Sequence, residues 1–191
     1  CEQVEDPKLA RGIVKREVVE VLSPGTALSD KFLDQKENNY LCAVVFEKRK
    51  CGIAILDHST GEFYTCSRNH EDLRSMLKQF HVSEVIISED QEDDLRILTQ
   101  GEEIFTTTIP NWCISFDTAY ESLTDYFNVS SLKGFGIEDD TLAITSAGCA
   151  LYYVDKNFQG RIKHIQSLSI LQQAGIMSLD AFTIRNLEIF K

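Results

Sequence analysis

The side chains with the most chemical potential are six cysteines, at 1, 42, 51, 66, 113 and 149, and four histidines, at 58, 70, 81 and 164. The closest cysteines are nine positions apart, so no C-x-x-C ligand pair exists and the histidines are equally scattered. That spacing predicts no metal site and instead buried, reduced thiols of a cytoplasmic protein. Asp57, Glu89 and Asp90 are the acids that fall at the ends of strand-like segments. They would be the ligands if the chain were a two-metal nuclease, whose carboxylates cluster at one sheet edge. Such a site needs an acid within the first strand, and Tyr40–Phe46 contains none. The run Ser88-Glu89-Asp90-Gln91-Glu92-Asp93-Asp94 fails as a calcium loop, because the positions needing Gly and Glu are Leu95 and Gly101. It suits a helix N-terminus, where the dipole favours carboxylates. Gly134-Phe135-Gly136 begins like a dinucleotide fingerprint, but the third glycine is replaced by Asp139, which would repel pyrophosphate. No G-x-x-x-x-G-K-[ST] occurs, so the chain holds no P-loop. Nothing in these patterns argues for an enzyme.

The elements that would position these residues follow from periodicity. Leu41–Phe46, Gly52–Leu56 and Phe63–Cys66 read as strands joined by a charged turn, Glu47-Lys48-Arg49-Lys50, and by Asp57-His58-Ser59-Thr60-Gly61. Leu73, Met76, Leu77 and Phe80 recur at helical spacing, and Val85-Ile86-Ile87 reads as a buried strand. Residues 91–99 predict a short helix and Ile104–Ile109 another strand. Phe116, Ala119, Tyr120, Leu123 and Phe127 mark the buried face of an amphipathic helix. Ala143–Val154, apolar nearly all round, predicts a buried helix, and His164–Ile170 a last strand. Nearer the ends, Val18–Leu22 predicts a strand closed by the turn Ser23-Pro24-Gly25-Thr26, and Ala181, Ile184 and Leu187 predict a helix. The order β-β-β-α-β-α-β-α-α predicts an α/β fold: a mixed sheet flanked by helices, the order of ribonuclease H-like folds.

The chain has 191 residues and a formal net charge of −11. Its charge is uneven: residues 51–140 carry 5 basic and 18 acidic side chains, whereas residues 1–50 carry 9 of each. A middle block at −13 repels phosphate and disfavours a nonspecific nucleic-acid surface. It suits a basic protein partner. No apolar run reaches the ~18 residues a membrane span requires. The first residue is Cys and both ends look cut from something longer.

Several segments resemble a known family. Cys1-Glu2-Gln3-Val4-Glu5-Asp6-Pro7, Gly12–Val19 and Ser23-Pro24-Gly25-Thr26 are similar to a stretch of the MutS family of bacterial DNA mismatch repair proteins. Asp57-x-Ser59-Thr60-Gly61-Glu62-Phe63, Gly134-Phe135-Gly136-x-Glu138, Ala147-Gly148-Cys149-x-Leu151-x-Tyr153, His164-Ile165 and Leu179-Asp180-x-x-Thr183-x-Arg185-Asn186-Leu187-Glu188 follow in the family's order. The resemblance covers essentially the whole chain. It implies three parts: residues 1–27 as the tail of a mismatch-binding domain, 28–170 as a ribonuclease H-like connector domain without nuclease activity, and 171–191 as the start of the core (lever) domain.

The resemblance further implies a full-length protein that binds mismatched DNA, uses ATP and Mg and works as a homodimer, while this stretch holds no cofactor. The family's Phe-x-Glu mismatch wedge lies upstream, and none stands within Cys1–Thr26. The connector also offers a surface to a MutL-like partner. Glu121, Ser122 and Asp125, on the outward side of the amphipathic helix, are the candidate contacts. Asp155, expected in the loop after the buried helix, is a fourth.

Overall fold

The computed structural model describes residues 2–3, 16–17, 23–26, 38–99, 102–158 and 162–171. The predicted strand at Val18–Leu22 and the predicted helix through Ala181, Ile184 and Leu187 lie outside them. Two short strands, β1 (Glu2–Gln3) and β2 (Arg16–Glu17), pair antiparallel with each other.

The main body is built on β3 (Tyr40–Glu47), β4 (Lys50–Asp57) and β5 (Glu62–Asn69), an antiparallel meander. Its strands carry Val, Ile, Leu and Phe on both faces, as strands covered on both sides must. A two-residue turn at Lys48-Arg49 joins the first pair, with Lys48 at φ 54°. Gly61 closes the second turn at φ 79°, a conformation that favours glycine. Then follow α1 (His70–Gln79), β6 (Glu84–Ser88), α2 (Glu92–Leu98), β7 (Thr106–Ile109), α3 (Phe116–Phe127), α4 (Thr141–Phe158) and β8 (Ser169–Ile170).

The six strands order as β7-β6-β3-β4-β5-β8, with β6 parallel to β3, β7 parallel to β6 and β8 parallel to β5. This is the expected mixed sheet flanked by helices. Alternation sends Cys42, Val44, Ile53, Ile55, Val85 and Ile87 to one face, where they meet Leu73, Met76 and Leu77 of α1 and Leu95 of α2. Leu41, Ala43, Val45, Ala54, Leu56 and Ile86 face the other way, against α3 and α4.

Two predicted elements differ most in extent. The predicted helix over Ala143–Val154 runs on to Phe158, because Asn157 and Phe158 are themselves buried and pin the last turn. The predicted strand His164–Ile170 shrinks to two residues. Upstream of these, Ile165 and Leu168 bury their side chains in the α3–α4 core rather than pairing with the sheet.

Candidate functional site

Glu84 opens β6 opposite Leu41 of β3 and is fully buried. A buried carboxylate must be surrounded by donors to be tolerated. Here each oxygen has two. Oε1 accepts the hydroxyls of Thr107 on β7 and Tyr153 on α4, both at 2.6 Å. Oε2 accepts the Gly25 backbone N–H at 2.9 Å and the Ser23 hydroxyl. Burial raises the Tyr153 phenol and the glutamate beside it adds to the effect, so Tyr153 stays a donor. A single side chain thereby joins the sheet, α4 and the segment Ser23–Thr26. The arrangement is a clasp of four donors on one carboxyl group.

The clasped segment is a 3-10 turn over Pro24–Thr26. It is closed by Thr26 N–H to the Ser23 carbonyl (3.1 Å) and by Ser23 N–H to Thr26 Oγ1 (2.9 Å). Asn39 Nδ2 donates to the Pro24 carbonyl at 2.7 Å. Glycine is required at 25 because a Cβ there would lie 2.8 Å from the Cβ atoms of both Leu41 and Glu84.

A second anchor holds β8. Its residues pair with Tyr64 and Thr65 of β5, and Leu171 N–H donates to the Thr65 carbonyl at 2.8 Å. The Arg68 guanidinium clips the strand by donating Nη2 to the Leu171 carbonyl at 2.8 Å. Just before it, the His164 ring lies 4.6 Å from that of His58 at the β4–β5 turn, and its Nε2 is 2.5 Å from the His58 carbonyl. His58 is buried, stacks on Phe158 at the end of α4 with centroids 3.8 Å apart, and leaves Nδ1 without a partner. Burial, with the His164 charge second, pushes its pKa down to about 4.

The predicted partner residues fall on two neighbouring helices. Glu121 and Asp125 on α3 are exposed and Ser122 is half-buried. Asp155 is exposed, but it stands on α4 rather than in a following loop, because the helix continues through Phe158. The helices meet where Gly148 faces Ala119 so closely that a Cβ on Gly148 would lie 2.4 Å from that of Ala119. Seven residues further along each helix, the Asp155 charge acts on the Tyr126 phenol, which is raised mainly by burial. Asp155 therefore stands beside α3 at the level of Tyr126.

The buried face of α3 is Ala119 and Leu123, with Tyr120, Tyr126 and Phe127 half-buried against the core. Phe116, expected inside, is 37% exposed. It is the first helical residue, and it packs sideways on Tyr120 at 5.7 Å instead of on the sheet. Beside α4, Trp112 is 56% exposed and meets Tyr152 edge-on at 5.1 Å, with Lys156 5.9 Å above the Tyr152 ring. The sequence signal for this pair is slight: a lone tryptophan just ahead of an amphipathic helix.

The acids weighed as nuclease ligands are not brought together. Tyr40 pairs with Asp57 and Leu41 with Glu84, so Asp57 sits one row before Glu84 while Glu89 follows the far end of β6. Six rows at ~3.3 Å separate them by roughly 20 Å. Asp57 caps its own turn, accepting from the Ser59 N–H (2.7 Å) and hydroxyl (2.6 Å) and, through Oδ2, from the Asn39 N–H (3.2 Å). Among the described residues, no three His, Cys, Asp or Glu side chains converge on a common point.

A family model described as MutS domain II matches residues 39–166, and one described as MutS domain I matches residues 1–31. The chain belongs to the MutS family. It is 39% identical over 190 residues to the DNA mismatch repair protein MutS of Flavobacterium johnsoniae, covering 100% of this chain and 22% of that protein. It is 40% identical over 189 residues to the DNA mismatch repair protein MutS of Cytophaga hutchinsonii, covering 99% of this chain and 22% of that protein. The chain thus spans about a fifth of the length of these curated relatives. On the MutS domain pattern the glutamate clasp acquires a meaning. Ser23–Thr26 lies in the part matched by domain I, and Glu84, Thr107 and Tyr153 lie in the part matched by domain II. The clasp is a junction between two MutS domains.

Proposed function

We propose that residues 28–170 form a non-catalytic connector that couples mismatched-DNA binding to ATP turnover in a full-length, homodimeric MutS protein of the cytoplasm. ATP and Mg would be held elsewhere in that protein. The observation carrying this reading is that arriving and departing segments are both fastened to one end of one sheet. Glu84 and Leu41 hold the Ser23–Thr26 turn, and β8 pairs one row away, at Tyr64–Thr65. Three to four strand spacings separate the two anchors, on the order of 15–20 Å. A displacement of one neighbour is then delivered to the other through a sheet packed on both faces, which does not deform continuously.

The test is the Arg68→Ala variant of the full-length protein, which frees the Leu171 carbonyl. DNA affinity and basal ATP turnover should stay within about twofold while the change in turnover caused by mismatched duplex shrinks. An unchanged mismatch response would contradict the coupling role.

The connector also offers the α3–α4 seam to a MutL-like partner through Glu121, Ser122, Asp125 and Asp155. Charge supports this: the residues between 51 and 140 carry a net −13, which steers a basic partner and repels DNA. The exposed Trp112 beside Tyr152 supplies the aromatic group such interfaces favour. Titrating the full-length Glu121→Lys, Ser122→Lys variant with purified MutL tests it. Unaltered binding removes this face from the account.

A further inference from the structure

We propose that Glu84 and Gly25 form a latch that makes the tail of domain I a fixed part of the connector, so that mismatch binding reaches α4 through Tyr153. The inference rests on the connector reading above and adds the residues through which the signal enters.

Four observations converge. First, the carboxylate is fully buried, and among the described residues no Lys or Arg forms an ion pair with it. Among the described residues its two oxygens are satisfied by hydrogen bonds, two of them from the Ser23–Thr26 turn. Lifting the turn away would strip one buried carboxyl oxygen of both its donors, which is costly. The turn is thus held by more than its own surface contacts. Second, Gly25 fits without a Cβ into a slot bounded by Leu41 and Glu84, where an added Cβ would lie 2.8 Å from the Cβ of each. Third, the other oxygen binds Tyr153 on α4, the helix that carries Tyr152, Asp155 and Lys156. Fourth, the donors come from residues far apart in sequence, 61 positions upstream for Ser23 and 69 downstream for Tyr153.

Chemistry makes the latch separable from its setting. In Glu84→Gln the amide NH2 can face the Thr107 and Tyr153 hydroxyls, which can turn to accept, so the remaining carbonyl oxygen still serves Gly25 and Ser23. In Glu84→Met both sets of bonds disappear at similar volume. Gly25→Ala keeps the glutamate and the hydroxyls of Thr107 and Tyr153, while the added Cβ, 2.8 Å from the Cβ atoms of Leu41 and Glu84, forces the turn out of its seat.

The experiment uses full-length protein and follows amide hydrogen exchange in the peptide containing Gly25 and Thr26, with the β3 and β6 peptides as the control for global opening. Mismatch-dependent ATP turnover is measured in parallel. Gly25→Ala and Glu84→Met should speed exchange at the turn by roughly tenfold or more with β3 and β6 unchanged, and Glu84→Gln by less than about threefold. Both releasing variants should lose the difference between mismatched and matched duplex, while Glu84→Gln keeps it. Should Glu84→Met fail to fold, Gly25→Ala decides, since it alters no core side chain. Unchanged exchange in Gly25→Ala overturns the latch, and so does a freed turn with an intact mismatch response. In those cases an altered response in Arg68→Ala leaves the connector reading standing. If Arg68→Ala is also silent, the connector reading falls too.

Discussion

Acidification should loosen the junction between α4 and β8 through one residue, His58. Its ring is buried between Phe158 and His164, with Nδ1 unpartnered, and the charges facing it are those of His164 and Asp57. Burial and His164 lower its pKa and Asp57 opposes them, leaving it at about 4 against 6.5 in an unfolded chain. The sign follows from proton uptake. Below pH 6.5 the unfolded chain binds a proton that the folded chain refuses until about pH 4, so the stability from neutral His58 is complete above 6.5 and is lost as pH falls between the two values. At ~1.4 kcal/mol per pH unit the full loss is roughly 3 kcal/mol, and about 2.5 kcal/mol is gone by pH 4.5. Carboxylates titrate over the same range, so the effect has to be isolated by difference. Urea unfolding of the native chain and of His58→Phe, which keeps the stack on Phe158, should be compared at pH 7.0, 6.0, 5.0 and 4.5. The variant should gain about 2.5 kcal/mol on the native chain between pH 7.0 and 4.5. Parallel curves would show that His58 does not fold as a buried neutral ring, and the stated packing of the α4 terminus would be wrong.

Other consequences can be checked directly. Gly148→Ala regains ~1 kcal/mol of helix propensity but drives a Cβ to 2.4 Å from that of Ala119, an overpacking that costs about 1–3 kcal/mol, so a net loss is expected by thermal unfolding. Adding Ala119→Gly should restore most of it. Cys42, Cys51, Cys66, Cys113 and Cys149 are all buried, and burial pushes Cys51 and Cys149 up to about 12 and Cys66 to about 11. In a Cys1→Ser chain an aromatic disulfide reagent at pH 8 should therefore modify no thiol before unfolding and all five after it. Thr65→Val removes a hydroxyl bonded to the Ala143 carbonyl at 2.7 Å and should cost about 1–2 kcal/mol in urea unfolding.

The sheet was legible because its physics is local. Two-faced apolar runs at Leu41–Phe46, Gly52–Leu56 and Val85–Ile87, separated by turn residues, leave little choice of element, and α3 begins and ends at the residues its periodicity marks. The positions read less well depend on contacts made elsewhere. Phe116 follows the apolar period, yet at the first helical position it has Tyr120 and not the sheet as its neighbour. Asp155 looks like a loop residue until the burial of Phe158 against His58 carries the helix past it. Ile165 and Leu168 suggest a strand by alternation, but their burial against the α3–α4 core leaves only Ser169–Ile170 to pair. Glu84 is the hardest case. A glutamate before an apolar strand reads as a solvated residue, and nothing nearby discloses that four donors from Ser23, Gly25, Thr107 and Tyr153 will enclose it. Family resemblance supplied the domain order and the candidate seam residues, whereas the clasp between the two matched domains is visible only in three dimensions.

The most direct test of the central claim is a distance between the two anchors in the full-length protein. Pro24 and Ser169 are both exposed and flank the clasp and the β5–β8 pairing, so in a Cys1→Ser background cysteines introduced at the two sites can carry spin labels while the five described native thiols stay buried. Double electron–electron resonance should give one narrow distribution that stays within about 2 Å between the free, mismatch-bound and ATP-bound protein, because both labels ride on one packed sheet. A shift of more than about 5 Å, or a second population appearing with DNA or ATP, would contradict a connector that moves as a single piece.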